Sequence, residues 1–334
     1  MNNILITGGL GYIGSHFASF LKNEFKKIII VDNLSNSNIS VFNKLSFLKS
    51  KNKYPILEFK KCDIHDKFTI EKIIKFNDID SIAHFAGLKS VAESLRHPSK
   101  YSYVNLLGTK NILMLAKEYK IRNFIFSSSA TVYGNPIYLP LNENHPIRSI
   151  NPYGKTKVDI ENLLINDPYF QNDCSVKILR YFNPIGAHPS GLIGEMSKGM
   201  PNNLMPIILK VAKKEQDRVH IFGGDYNTYD GTGIRDYIHI MDLVNGHIKA
   251  LNYKKKGVSI FNLGTGQGYS VLDLINTFTK VNKVKVPYEI VERRLGDAAS
   301  VFADPSKAEN ILGFKVEHNL NEMCFDAWRF AQHI

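Results

Sequence analysis

Cysteine is scarce. The 334 residues hold three, Cys62, Cys174 and Cys324, far apart and in no C-x-x-C spacing. Neither a disulfide framework nor a thiolate zinc site is indicated, no metal is expected, and a reducing compartment fits. Long apolar runs are also missing, and none approaches the length that crosses a bilayer. Met1-Asn2-Asn3 passes straight into Ile4-Leu5-Ile6, without the basic and apolar regions of a signal peptide. A cytoplasmic protein with no membrane partner is expected. Acidic side chains are outnumbered 31 to 42, giving a net charge of +11. The surplus lysines (Lys49, Lys51 and Lys53; Lys213 and Lys214; Lys254, Lys255 and Lys256) are scattered among Asn and Ile, with no basic stripe of interleaved aromatics. Nucleic acid is therefore not an expected partner.

What is present is a globular balance, 44% hydrophobic and 22% charged. The chain exceeds the usual size of a single core, which favours a large cofactor domain with a smaller second lobe. Through residue 183, short β-branched runs alternate with amphipathic segments, the pattern of a parallel sheet wound with helices on both faces. Strands are expected at 3–7, 27–31, 56–62, 81–85, 123–128 and 175–181, and helices at 11–21, 67–76, 99–119 and 152–165. Beyond 183, loops rich in Gly, Pro and Asn (184–203 and 223–233) are punctuated by elements at 204–212 and 270–281. The expected architecture is α/β: a Rossmann-type doubly wound sheet over 1–183 and a smaller α/β substrate lobe over 184–334, with the chain crossing back to the first domain.

The first strand runs into T-G-G-L-G-Y-I-G, which places Gly8, Gly11 and Gly14 in G-x-x-G-x-x-G spacing. Glycines here permit a tight turn, a close approach of backbone amides to a pyrophosphate, and close helix–strand packing. The following helix N-terminus adds N–H donors and partial positive charge. Asp32 ends the second strand, where a carboxylate accepts from ribose hydroxyls and repels a 2′-phosphate, favouring NAD over NADP.

N-P-Y-G-K-T-K puts Tyr153 and Lys157 one helical turn apart. A phenol near pKa ~10 is a poor base at neutral pH, and a neighbouring ammonium is expected to lower that value. The pair could then exchange a proton with a substrate hydroxyl. The strand at 123–128 delivers Ser129 and Thr131 at the carboxyl edge of the sheet, where ligands of such folds bind. Ser129 could bridge the hydroxyl and the tyrosine.

With the glycine turn, the serine cluster and the Tyr/Lys pair in this order, the sequence resembles the extended short-chain dehydrogenase/reductase family, and within it the epimerases of nucleotide sugars. The likeness runs almost end to end: H-F-A-G-L-K from His84, F-I-F-S-S-S-A-T-V-Y-G from Phe124, R-Y-F-N-P from Arg180, G-A-H-P-S-G from Gly186, P-N-N-L-M-P from Pro201 and D-G-T-G-I-R-D-Y-I-H from Asp230. The resemblance implies NAD contacts from Gly8, Gly11, Tyr12, Ile13, Gly14, Asp32, Asn33, Asn36, Ser37, Asp63, Ile64, Phe85, Ala86, Gly87, Lys89, Asn105, Ser129, Tyr153, Lys157 and Phe182. It implies a UDP-sugar site formed by Ser129, Tyr153, Asn183, Asn203, Leu204, Phe222, Arg235, Tyr237, Arg294, Asp297 and Val301.

The implied chemistry interconverts UDP-glucose and UDP-galactose at carbon 4, with Ser129, Tyr153 and Lys157 as the catalytic set and a homodimer as the assembly. Val301 stands where hexose-restricted relatives carry a bulky tyrosine, so turnover of N-acetylhexosamine nucleotides is an added expectation, provided neighbours such as Ala299 do not close the pocket. A 4,6-dehydratase, the nearest rival enzyme, needs an Asp-Glu pair after the strand-end threonine, and Val132 and Tyr133 stand there instead. A non-catalytic dinucleotide sensor would commonly lack the tyrosine or lysine.

Overall fold

The computed structural model describes residues 2–22, 24–50, 55–196, 198, 203–294 and 296–333. Lys51, Lys53, Pro201 and Asn202 lie outside the described residues. The central sheet is built from β1 (Asn2–Thr7), β2 (Phe25–Asp32), β3 (Ile56–Lys61), β4 (Ile79–His84), β5 (Asn123–Ser129) and β6 (Ser175–Tyr181). Further along the chain come β7 (Asn183–Ile185), β8 (Val219–Phe222), β9 (Ile234–Arg235), β10 (Tyr237–His239), β11 (Gly257–Leu263), β12 (Tyr269–Ser270), β13 (Tyr288–Val291) and β14 (Ser300–Val301). Seven strands form one sheet in the order β11-β6-β5-β4-β1-β2-β3, every pair parallel.

Period-two burial explains why the sheet carries a layer on each face. Ile4, Ile6, Ile28, Ile30, Ile125 and Leu179 join one core, with Phe17 and Ala18 from the helix Tyr12–Phe20 and Leu243 and Val244 from the helix Ile240–Asn252. Leu5, Ile29, Phe124, Phe126, Val176 and Ile178 join the other, with Ile70, Ile112, Leu115 and Ile160 from helices on the opposite side. Strand order reverses beside β1: one neighbour is β2 and the other is β4. Such a switch point opens a crevice at the carboxyl ends of the strands.

Two differences from the sequence reading stand out. The stretch expected as one helix over 99–119 is α-helical at Pro98–Tyr101 and Gly108–Glu118 but a π-helix at Ser102–Leu107. That wider turn carries Asn105 into the interior, where it is 1% exposed. The seventh strand, β11, was not expected; it pairs along β6 from Ser175 to Tyr181. A separate core gathers Met205, Ile208, Ile221, Leu274, Phe278 and Met323 beyond the sheet edge. Among the described residues no helix is long and apolar enough to cross a membrane, and the three cysteines are buried and unpaired.

Candidate active site

The glycine turn meets the steric demands read from its spacing. Gly8 has φ +66°, and a Cβ there would lie 2.6 Å from the Ala86 nitrogen; one on Gly14 would lie 2.5 Å from the Gly8 carbonyl. The helix Tyr12–Phe20 then begins at Gly11 with no side-chain cap and no acid in its first turn, so its leading amides, those of Tyr12 and Ile13 among them, suit an anion. Asp32 is 8% exposed at the end of β2. Its carboxylate accepts from the Leu10 amide (3.1 Å), the Leu34 amide (2.9 Å) and Ser37 Oγ (2.8 Å), which fixes the loop beside the turn. The cradle, the uncapped helix and this carboxylate fit a dinucleotide.

Around the cradle, Asn33 donates to Asp63 (2.7 Å), and the Asp63 carboxylate also receives the His65 amide (2.9 Å). Burial opposes ionisation of Asp63, but these bonds outweigh it and hold the carboxyl below its usual range. Ile64 is buried against Gly108. Phe85 packs on Phe17 and His247, and Phe182 on Gly264. Gly87, at φ +154°, abuts Asn105. The Asn105 amide is used within the protein: it accepts from the Leu88 amide (2.8 Å) and donates to the Leu88 carbonyl (3.0 Å) and Thr156 Oγ1 (3.2 Å). Three other expected cofactor contacts reach across to 186–198. Tyr12 donates to the Gly186 carbonyl (2.7 Å), Asn36 accepts from the Lys198 amide (3.0 Å), and Lys89 pairs with Glu195 (2.5 Å).

Ser129, Tyr153 and Lys157 come together at the carboxyl end of β5. Pro152–Asn166 forms a helix because Asn151 caps it through the Gly154 amide (2.8 Å) and proline takes its first position. Tyr153, 9% exposed, and Lys157, 6% exposed, share the buried face of that helix. Tyr153 is hydrogen-bonded to Ser129, which also accepts from the Thr131 amide (3.2 Å).

The Tyr153 phenol stands above its ordinary value, where the neighbouring ammonium is expected to lower it: burial pushes it up to about 12, against the pull of its bond to Ser129. The Lys157 ammonium is directed instead to the Ser127 carbonyl (2.7 Å) and stands 5.8 Å from the Tyr153 ring centroid. Burial lowers Lys157 itself to about 8, against the pull of Glu161.

Across the crevice, Asn183 and Tyr237 face each other in the β7–β10 pair, and Arg235 faces Val301 in the β9–β14 pair. Val301 packs against the cluster of Val132, Tyr133, Leu141, Phe182 and Ala303. Arg294 lies over the Phe222 ring at 4.5 Å and is held by Asp297 (2.9 Å). Asn203, preceding Leu204 at the start of the next helix, donates to Glu195 (3.3 Å).

Sequence reasoning missed Asp236, which is fully buried and accepts from the Thr265 amide (2.8 Å), the Gly266 amide (3.0 Å) and the Ala303 amide (3.1 Å). It anchors the loops that carry Arg235 and Val301, and burial raises its pKa despite those bonds. Its position beside Arg235 was the available signal. His84 was quoted only within a motif; it sits between Thr7 Oγ1 (2.6 Å) and Thr109 Oγ1 (2.8 Å), and burial, then Lys157, lowers it to about 3. It is a neutral strut rather than an acid or base.

A family model described as GDP-mannose 4,6 dehydratase matches residues 5–327. The UDP-glucose 4-epimerase of Bacillus subtilis (strain 168) is 46% identical over 329 residues, which cover 98% of this chain and 96% of that one. The chain belongs to the UDP-glucose 4-epimerase family. Two solved members share its shape. A UDP-glucose 4-epimerase from Stenotrophomonas maltophila, crystallised with bound NAD and formylated UDP-arabinopyranose, superposes with TM-score 0.94 at 42% identity, covering 100% of this chain and 98% of that one. The Bifidobacterium longum enzyme, in complex with NAD+ and UDP, gives TM-score 0.92 at 40% identity, covering 99% and 98%. Dehydratase chemistry is disfavoured by the site, because the two positions after Thr131 are the fully buried Val132 and Tyr133. The Tyr133 hydroxyl is committed to Asn262 (2.6 Å) and Arg180 (3.1 Å).

Proposed function

We propose that this member of the UDP-glucose 4-epimerase family interconverts UDP-glucose and UDP-galactose, with NAD retained, as part of galactose metabolism in the cytoplasm. The observation that carries this reading is the convergence of Ser129, Tyr153 and Lys157 on the carboxyl edge of β5, beside the glycine cradle. When bound, NAD would supply the acceptor that takes the carbon 4 hydrogen and returns it, together with the positive charge of its oxidised ring. Tyr153 exchanges the proton of the 4-hydroxyl, with Ser129 bridging and Lys157 holding the local charge. Arg235 and Arg294 donate to the pyrophosphate of UDP, a task suited to guanidinium forks. Asn183, Asn203, Leu204, Phe222, Tyr237 and Asp297 form the rest of the wall.

Anchoring the nucleotide while leaving the hexose loosely held lets the 4-ketose turn about its pyrophosphate link and present either face. The division falls at 183, with 1–183 as the cofactor domain and 184–334 as the sugar-nucleotide lobe, from which the helix Ile240–Asn252 and β11 cross back to the cofactor domain. The helical stretches 99–119 and 152–165 are the expected homodimer face, and the exposed Tyr103, Leu107 and Met114 on the first of them support that assembly.

Purified protein given UDP-galactose with no added NAD, followed by a UDP-glucose dehydrogenase reporter, is expected to yield UDP-glucose. Tyr153→Phe is expected to keep its NAD and to lose about 100-fold or more in rate. Conversion undiminished by that change refutes the catalytic assignment. The valine at 301 favours some turnover of UDP-N-acetylglucosamine, and the same preparation assayed with that sugar nucleotide tests it; rates at background dismiss the extra activity.

A further inference from the structure

Glu161 and Arg180 form an ion pair that the reaction as described does not use. Both side chains are 3% exposed and they meet at 2.6 Å, with a second contact at 3.1 Å from Arg180 Nε. Glu161 lies one helical turn beyond Lys157 and two beyond Tyr153, on the same buried face. Three successive residues of the strand end receive this face. Ser127 accepts Lys157 (2.7 Å), Ser128 donates to Glu161 (2.5 Å) and Ser129 bonds Tyr153. Arg180 continues to the Tyr133 hydroxyl (3.1 Å), at the end of the turn that follows Ser129, and β6 continues from Arg180 toward Phe182 and Asn183.

A buried pair of this kind gives little stability over apolar side chains of equal volume, and its best-attested use is to fix the register of the groups it joins. Here it joins the segments that carry Ser129, Tyr153 with Lys157, and Asn183. We infer that Glu161 and Arg180 are positioning residues for the epimerisation, holding the Tyr153 helix in register with the Ser127–Ser129 strand end so that phenol, ammonium and serine stay aligned. This rests on the epimerase reading. The ionisable groups around Lys157 and Tyr153 are Glu161 on their own helix, His84 from β4, Arg180 and Tyr181 from β6, and Tyr101 from the helix Pro98–Tyr101, whose ring meets the Tyr153 ring edge-on. Glu161 is the one that favours the ammonium, against the larger effect of burial.

The test uses the holoenzyme, with wild type, Glu161→Gln and the double variant Glu161→Leu/Arg180→Met assayed side by side on UDP-galactose. The double variant removes both charges together and so avoids leaving one of them buried alone. Expected for both variants are NAD content like wild type, KM within about threefold, and kcat lowered on the order of 100-fold. The alkaline limb of the kcat profile is also expected at lower pH, because Lys157 loses the carboxylate that favours its charge. Folded variants with wild-type kcat and an unmoved alkaline limb overturn the inference, as does a loss confined to folded yield. A wild type that leaves UDP-galactose unchanged refutes the epimerase reading and the inference with it, whereas an active wild type with indifferent variants refutes the inference alone.

Discussion

Lys157 and Tyr153 stand one turn apart on a helix, yet the ammonium bonds the Ser127 carbonyl at 2.7 Å and not the phenol. Burial therefore pushes the phenol up to about 12, with its bond to Ser129 pulling the other way. A positive charge brought beside a buried phenol favours its ionised form. Titrating phenolate absorbance as wild type minus Tyr153→Phe is expected to find this group near 12 in stripped protein and clearly lower after NAD is restored. An equal value in both states would assign the tuning to the protein alone.

The glycine turn makes a sharper steric prediction. A methyl group at Gly14 would sit 2.5 Å from the Gly8 carbonyl and 2.8 Å from the Gly9 Cα, both backbone atoms that cannot swing aside. Gly14→Ala is expected to weaken NAD binding by more than about tenfold, or about 1.4 kcal/mol. Far-ultraviolet dichroism should remain that of the wild type. Calorimetric titration of stripped protein with NAD checks it, and unchanged affinity would show that the helix start does not face the pyrophosphate.

Lys177 gives a pH signature of folding unrelated to catalysis. Its side chain is fully buried on β6, bonded to Asn123 Oδ1 (2.6 Å) and Ser175 Oγ (2.7 Å). Burial, with a smaller push from Lys254, lowers it to about 7 from 10.5. Between those values the unfolded chain binds the proton and the native chain does not, so this group makes stability rise with pH through the window from about 7 to 10.5. The effect is bounded at about 5 kcal/mol. Urea unfolding of Lys177→Met against wild type across that window should show the wild type gaining more with pH, and parallel curves would contradict the assignment.

Much of this architecture is legible in the residues. Ile4, Leu5 and Ile6 alternate between the two cores as a sheet covered on both faces requires, and the glycine spacing fixes where the crevice begins. The Tyr153–Lys157 spacing also places both groups correctly on one helix face. It does not reveal where the ammonium points, because the competing acceptor, the Ser127 carbonyl, is a backbone group on another strand. For the same reason β11 escaped notice: its partner β6 lies more than seventy residues earlier, and no local pattern encodes that pairing. The bonds of Asn105 to Leu88 and Thr156 depend on the π-helix that carries it, a change of helical pitch invisible to a 3.6-residue reading. Arg180 opens a quoted motif while Glu161 is one unremarked residue of an expected helix, and the bond between them exists only after the helix packs on the sheet.

In the proposed reaction Tyr153 and Ser129 handle a proton while the carbon 4 hydrogen leaves one face of a tethered sugar and returns to the other. UDP-galactose carrying deuterium at carbon 4, incubated in ordinary water with the purified protein and no added cofactor, tests this most directly by mass and proton resonance of the product. The expected product is UDP-glucose with deuterium still at carbon 4. Loss of the label to solvent, or an inverted product whose carbon 4 hydrogen comes from water, would contradict it.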